Sequence, residues 1–103
     1  MAIQAALRGA AETPLRTAEA CAELVELAAY CTAHGNRNAA SDAAVSALLA
    51  QAALKGAVLN VRTNLSGIRD EAFNLAAEAR LRHLLDAGEG ALQRALTAAD
   101  LGE

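Results

Sequence analysis

One carboxylate and two amides stand in an otherwise apolar segment of this 103-residue chain. Asp42, Asn60 and Asn64 fall within roughly 80° of one another on an ideal helix, which turns about 100° per residue. A carboxylate can stabilise a cation or accept a proton, and an amide can hydrogen-bond a ligand or position a water molecule. This polar stripe is therefore the first candidate for a functional site.

The stripe is expected to face inward. The apolar or small residues on the same side of the helix are Leu49, Ala53 and Gly56. The residues on the opposite side, which we expect to face solvent, are Gln51, Lys55 and Arg62. A buried amide without a partner costs about 1–3 kcal/mol, so Asn60 and Asn64 must bond to neighbours or to a ligand. The alternatives are a ligand site and an amide ladder that fixes helix register or closes a dimer interface.

A polar turn precedes this helix and carries further candidate residues. Asn36 and Asn38 are typical of turns, because asparagine tolerates positive φ and bonds to its own backbone, but they are also candidate ligand contacts. Gly35 is expected to close the preceding helix in a left-handed conformation. Ser41 is the expected N-cap, which leaves Asp42 in the first turn, near the positive end of the helix dipole. For Asp42 the alternatives are thus a cap and a direct role at a site.

The positions of caps and breakers predict four helices. Their expected spans are residues 2–11, 14–34, 42–66 and 71–99. Pro14 is expected to end the first helix and open the second, with Thr13 as the N-cap. Asp70 is expected to cap the last helix. The second helix carries apolar or small residues at spacings of three and four: Ala18, Ala22, Val25, Ala29 and Thr32.

The predicted fold is all-α, an antiparallel bundle of about four helices in a single domain, residues 1–103. Hydrophobic residues make up 54% of the chain but aromatics only 2%, which predicts a thin, alanine-rich core. The last helix would be roughly 45 Å long and overhang that core, with Gly88 and Gly90 as its weak point. The apolar face of its far end, residues 91–101, is therefore expected to pack on a second chain, which makes a homodimer.

Composition and the remaining titratable residues argue against several classes of function. A formal net charge of −3 with nine basic residues is unlike that of nucleic-acid-binding proteins. No run of about 18 uninterrupted apolar residues and no signal-peptide pattern occurs, so a cytoplasmic protein without a membrane partner is expected. Cys21 and Cys31 lie too far apart on one helix to bond and are expected to be buried thiols. His34 and His83 belong to no metal-ligand pattern, so no metal is expected.

Three ordered motifs carry a resemblance to a known family. They are a run from Pro14 to Glu19, the turn GNRN followed by Ser41-Asp42, and the segment AALKGAVLNVRTNL over residues 52–65. In this order they resemble the C-terminal half of the cyclodeaminase/cyclohydrolase family. That family includes the cyclodeaminase domain of formimidoyltransferase-cyclodeaminase and the methenyltetrahydrofolate cyclohydrolase of the serine cycle. The resemblance covers residues 2–85.

The resemblance implies an all-helical, dimeric domain that acts on tetrahydrofolate carrying a one-carbon unit. Family members release ammonia from 5-formiminotetrahydrofolate, or hydrolyse 5,10-methenyltetrahydrofolate to 10-formyltetrahydrofolate. On this basis Asp42 is predicted to be the catalytic carboxylate, with Arg37 or Arg62 meeting the glutamate tail of the folate. The residues predicted to bind substrate are Asn36, Asn38, Asn60, Asn64 and Arg62. A tetrahydrofolate derivative is the expected substrate.

The chain departs from the family in length. Relatives are much longer and begin with a glycine-rich loop of the type PTPGGGS, which this sequence lacks. Three explanations stay open: a fragment, a chain that pairs with a separately encoded N-terminal half, or a shortened descendant that assembles from copies of itself. The predicted function is accordingly a cyclohydrolase or cyclodeaminase. The alternative is a non-catalytic helical dimerisation module derived from that enzyme.

Overall fold

The computed structural model describes residues 2–100, which form three α-helices. The helices are α1 (Ala2–His34), α2 (Ala40–Leu65) and α3 (Glu71–Ala98), and a 3-10 turn, Arg37–Ala39, leads into α2. No strand occurs within residues 2–100, so the all-α prediction is confirmed there. The predicted number of helices is wrong, because the first two expected helices are one continuous helix.

The three helices lie side by side, and α2 is antiparallel to both α1 and α3. One core cluster joins the first half of α1, the second half of α2 and the first half of α3. A second cluster joins the remaining halves, with Val25 of α1, Ala47 of α2 and Ala91 of α3 among its members. Eleven of the 21 buried hydrophobic residues are alanines, so the helices approach closely and the molecule is slender, 55 × 19 × 16 Å.

The predicted inner stripe of α1 is confirmed. All five of its residues are buried: Ala18, Ala22, Val25, Ala29 and Thr32. Thr32 is the polar member, and its hydroxyl donates to the carbonyl of Ala28 at 2.8 Å, so the helix itself satisfies it. Alanines and glutamates lie on opposite sides of this segment, and this contrast identifies the side that is buried.

Helix α1 continues through Pro14 because another helix supplies the missing hydrogen-bond donor. Proline has no backbone N–H, so the carbonyl of Ala10 loses its normal partner one turn earlier. The side-chain amide of Asn64, on α2, donates to this carbonyl at 3.4 Å and to the carbonyl of Asn60 at 3.0 Å. A contact 54 residues away in sequence thus replaces the bond that proline removes.

The buried face of α2 is not the predicted face. The residues of α2 that contact α1 and α3 are Ala44, Ala47, Gln51, Leu54, Ala57, Val58, Val61 and Leu65. Gln51, expected in solvent, is only 3% exposed, whereas the expected exposure of Lys55 and Arg62 is found. On the predicted inner stripe, the exposed residues are Asp42, Leu49, Ala53, Gly56 and Asn60. Nearly every face of α2 is apolar, so its periodicity does not select one.

One of the predicted helix caps is found in the structure, and two are not. Asp70 caps α3 as predicted, its carboxylate accepting from the Phe73 backbone N–H at 3.0 Å. The N-cap of α2 is Ala39 rather than Ser41. Gly35 was expected in a left-handed conformation, but no glycine of the described residues has a positive φ. Instead, its N–H continues the helical pattern by donating to the carbonyl of Cys31 at 2.8 Å.

The far end of α3 does not overhang the core. Ala91 and Ala95 have no exposed surface and Leu92 is nearly buried, because α1 is long enough to cover them. The expectation that this face is left uncovered is therefore wrong for residues up to 100, whereas packing on a second chain stays a prediction. The last residue of the predicted face, Leu101, lies outside the described residues.

One segment is long and apolar enough to cross a membrane by length and composition. It is Arg37–Leu65, with a mean hydropathy of 1.5 in its most apolar 18-residue window. The core helix of a soluble protein passes the same test, and 39% of this window is buried against the rest of the chain. Length and composition alone therefore do not assign the segment to a membrane.

Gly88 allows α2 and α3 to approach closely. It is buried at the point where α3 crosses Gln51 and Leu54 of α2, and α3 runs through it without interruption. A Cβ built on Gly88 would lie 2.6 Å from Cδ2 of Leu54 and would also collide with the Gln51 side chain. The glycine therefore favours close packing here, because a larger residue would displace the Gln51 and Leu54 side chains.

Replacing Gly88 by alanine should destabilise the chain by about 1–3 kcal/mol, because the methyl group has no room. The matched change at Gly90 should stabilise it by up to about 1 kcal/mol, because alanine is the better helix former. There the nearest atom to a Cβ would be 3.7 Å away, on Arg94. Urea denaturation of both variants measures the difference. Equal effects at the two positions would contradict the close approach at Gly88.

Candidate functional site

Asp42 lies at the edge of an apolar groove between α1 and α2. The groove has a volume of about 680 Å³ and is open to solvent. Its lining is mainly aliphatic: Leu24, Leu27, Ala28, Cys31, Ala39, Asp42, Ala43, Ser46, Leu49 and Ala50. Asp42 contributes the one carboxylate among these lining residues. The arrangement places a single negative charge beside a surface suited to a flat, partly apolar ligand.

The carboxylate of Asp42 has no structural partner among the described residues. It accepts no hydrogen bond and forms no ion pair there, and only the backbone carbonyl of Asp42 is engaged, by the Ser46 hydroxyl at 3.1 Å. The cap of α2 at Ala39 likewise involves no side-chain hydrogen bond. Asp42 still lies in the first turn, where the helix dipole favours its charge. Its carboxylate is thus free to meet a ligand.

Asn36 and Asn38 lie in the turn before α2, at the same end of the molecule. The side-chain oxygen of Asn36 accepts from the Asn38 backbone N–H at 2.8 Å, so Asn36 caps the 3-10 turn. Asn38 and Arg37 line a second cavity of about 690 Å³, which extends to Asp100 near the end of α3. The turn therefore separates the groove at Asp42 from a more polar cavity next to it.

Asn60 and Asn64 lie far from Asp42 along the same helix. They line a separate groove of about 460 Å³ between α1 and α2, together with Thr13, Pro14 and others. At 1.5 Å per residue, Asn60 is about 27 Å from Asp42 along the axis of α2. Within one chain, therefore, the predicted catalytic carboxylate and these amides do not face one reacting atom. The role of Asn64 in completing α1 accounts for its partial burial.

Arg62 is held on the α3 side of α2. Its guanidinium donates to both carboxylate oxygens of Glu78, with the closest approach at 3.1 Å. On an ideal helix it lies about 160° from Asn60, so the two side chains leave α2 in nearly opposite directions. The structure does not bring Arg62 together with the other predicted substrate-binding residues, and its role in binding stays a prediction.

Sequence reasoning missed the α1 wall of the groove at Asp42. Leu24, Leu27 and Cys31 recur at spacings of three and four, which is the signal that would have revealed a second apolar stripe on α1. Leu24 and Leu27 are more than half exposed. Cys31 was expected to be buried and is exposed, whereas Cys21 is buried as expected. Within residues 2–100, no group of three histidine, cysteine or acidic side chains is placed to hold a metal ion.

Comparison with known proteins gives a family match and a similar protein that agree with each other. The model of the formiminotransferase-cyclodeaminase family matches residues 1–83. A methenyltetrahydrofolate cyclohydrolase from Methylorubrum extorquens is 44% identical over 82 residues, which is 80% of this chain. The chain spans 38% of the length of that relative. No solved structure matches it.

The bond between Asn64 and the carbonyl freed by Pro14 can be measured by a double-mutant cycle. Asn64→Ala should lower the free energy of unfolding by about 0.5–1.5 kcal/mol. In a Pro14→Ala background the same change should cost clearly less, because the substituted residue would provide its own backbone N–H to the Ala10 carbonyl. Chemical denaturation of the four proteins gives the coupling energy. A coupling of zero would show that Asn64 does not support α1.

Proposed function

The chain belongs to the formiminotransferase-cyclodeaminase family, and we propose that it acts on a one-carbon unit carried by tetrahydrofolate. The finding that carries this proposal is the 44% identity to a methenyltetrahydrofolate cyclohydrolase across most of the chain. Hydrolysis of methenyltetrahydrofolate is the favoured reaction. Release of ammonia from formiminotetrahydrofolate is the related reaction within the same family.

The hydrolysis has electrostatic requirements that a carboxylate meets. The methenyl bridge is a delocalised cation, and water attacks its carbon to form a new C–O bond. The attacking water loses one proton to a base. One C–N bond of the bridge then breaks, its nitrogen takes up a proton as the new hydroxyl group loses its own, and a formyl group is left. A carboxylate beside the bridge stabilises the cation and accepts the proton from the water. We assign this role to Asp42, whose carboxylate is unpaired within the described residues.

The groove beside Asp42 supports this assignment by its size and lining. At about 680 Å³ it falls within the range of ligand pockets, roughly 300–1,000 Å³. Its leucine and alanine side chains offer an apolar wall to a flat ring, while Asn38 and Arg37 next to it offer polar contacts. In this proposal the pterin lies in the groove with its one-carbon unit toward Asp42.

A complete site needs more chain than this one copy contributes. The chain spans 38% of the cyclohydrolase relative, and its groove at Asp42 is open on one side. Catalysis requires a closed pocket that positions both the pterin and the water. We propose that a family N-terminal half or another copy of this chain closes the groove.

A second candidate function is that of a non-catalytic helical module that assembles with other chains. The observation that favours it is the separation of about 27 Å between Asp42 and Asn60 along α2, which leaves no multi-residue constellation among the described residues of one copy. Under this alternative the chain binds a partner but no folate. Binding of a folate analogue therefore distinguishes the two candidates.

Calorimetry with 5-formyltetrahydrofolate tests binding at the proposed groove. We expect the wild-type chain to bind this analogue. If the carboxylate faces the one-carbon unit, Asp42→Asn should bind at least tenfold more weakly, which corresponds to a loss of about 1.4 kcal/mol in binding free energy. The matched control is Asp86→Asn, which alters an exposed carboxylate on α3. Absence of binding by the wild type would favour the non-catalytic module. Equal losses in both variants would remove Asp42 from the site.

Decay of methenyl absorbance tests catalysis. The isolated chain should convert 5,10-methenyltetrahydrofolate little faster than buffer does, because its pocket is open. Addition of a family N-terminal half should raise the rate, and Asp42→Asn should then lower it by about 100-fold or more, the scale of general acid–base catalysis. Undiminished activity of that variant in the complemented system would return Asp42 to a purely local role in α2.

A further inference from the structure

The outward face of α2 carries an apolar seam at the spacing of paired helices. Six residues recur at alternating steps of four and three, and all are exposed: Val45, Leu49, Ala52, Gly56, Leu59 and Thr63. Leu49 is 67% exposed, Leu59 65% and Val45 51%. Such a 3-4 repeat is the pattern by which one helix packs along another. The residues of α2 that are buried against the rest of the chain lie on the opposite face.

The seam is symmetric about its own centre, near Leu54. Val45 and Thr63 are β-branched residues nine positions to either side, and Leu49 and Leu59 lie five positions to either side. Ala52 and Gly56 form the innermost pair, and a Cβ added to Gly56 would meet nothing within 4 Å. A two-fold axis through the middle of an antiparallel helix pair requires this kind of self-complementarity, because residue i must fit residue j and the reverse.

We propose that two copies of this chain associate through α2, antiparallel, about a two-fold axis near Leu54. In this register Leu49 packs on Leu59 of the partner subunit, and Ala52 packs on Gly56 of the partner subunit. The small central pair lets the helices approach closely, and the leucine pairs close the seam on either side. No charged residue interrupts the seam between Val45 and Thr63. The antiparallel arrangement also opposes the two helix dipoles favourably.

This association would unite the two separated parts of the candidate site. The groove at Asp42 and the groove at Asn60 and Asn64 both lie between α1 and α2, on one side of the seam. The two-fold axis is perpendicular to the plane that contains the two α2 helices. It reverses the direction of the helix but leaves the grooves of both copies on the same side of that plane. Along the helix, Asp42 would lie about 9 Å from Asn60 of the partner subunit instead of about 27 Å from its own.

The interface is expected to be of modest strength. From Val45 to Thr63 the seam is about 27 Å long and roughly one helix diameter wide, so alone it falls below the ~1,200 Å² of standard interfaces. The exposed Leu24 and Leu27 of α1 border the same side and extend it. We therefore expect a dimer that dissociates in the micromolar range.

Sedimentation equilibrium over a concentration series tests the association. The wild type should show a monomer–dimer equilibrium, and Leu49→Lys should be monomeric, because a lysine would be buried at the seam. The matched control is Leu75→Lys on α3, where the leucine is also 67% exposed but lies off the seam. A wild-type chain that stays monomeric would overturn the proposal. The seam would then be left for another occupant, such as an N-terminal half or a lipid surface. Equal effects of both lysines would overturn it as well.

Disulfide trapping tests the direction and register in a Cys31→Ser background. The single variants Leu49→Cys and Leu59→Cys should each fail to form interchain disulfides, because like positions lie about 15 Å apart across the axis. The double variant, or a mixture of the two single variants, should form them on oxidation. A disulfide in either single variant would indicate a parallel pair, and none in the mixture would exclude this register.

Mixing experiments test the shared site, a part of the inference that rests on the proposed folate binding. Asp42→Asn and Asn60→Ala should each bind 5-formyltetrahydrofolate weakly. Random pairing of an equal mixture makes about half of the dimers mixed, and each mixed dimer has one intact site, so about a quarter of the sites should recover. No recovery would show that the two residues do not share a site across subunits. If the wild type binds no folate analogue, the shared site and the proposed function both fail, while disulfide trapping still decides the interface.

Discussion

The contact that the rest of the structure depends on is the burial of one face of α2 between α1 and α3. Three of the eight buried residues of this face are alanines and none is aromatic, which favours a close approach of the helices. Gly88 of α3 packs against Gln51 of α2, and Asn64 of α2 donates a hydrogen bond to the α1 carbonyl that Pro14 leaves without its usual donor. Which face α2 buries decides where its carboxylate and amides lie. Those groups are consequently at the surface, along the edge of α1.

Sequence reasoning succeeded for helices whose apolar and charged residues lie on different faces. Glutamates and alanines lie on opposite sides of α1, so the stripe from Ala18 to Thr32 was found, and the carboxylate of Asp70 indicated the start of α3. It could not predict the orientation of α2, because that helix is apolar on nearly all sides and Gln51 in its middle is buried. The division at Pro14 was wrong since the donor that repairs it, Asn64, is distant in sequence.

The candidate site shows the same limit of local reasoning. Periodicity placed Asp42 and Asn60 on one side of one helix, and they do share a side, but their separation of about 27 Å follows from simple helix rise. The apolar wall formed by Leu24 and Leu27 went unnoticed because it belongs to a different helix. The proposed site and the proposed association rest on the groove, the carboxylate of Asp42 that is unpaired within the described residues, and the exposed seam of α2.

Chemical-shift mapping of backbone amides during titration with 5-formyltetrahydrofolate tests most directly whether a folate site lies in the α1–α2 groove at Asp42. We predict that the amides of Asp42 and its groove neighbours shift together with those around Asn60, since both regions would contact one ligand in the dimer. Shifts confined to the outer face of α3, or no shifts at saturating ligand, would contradict a site in this groove.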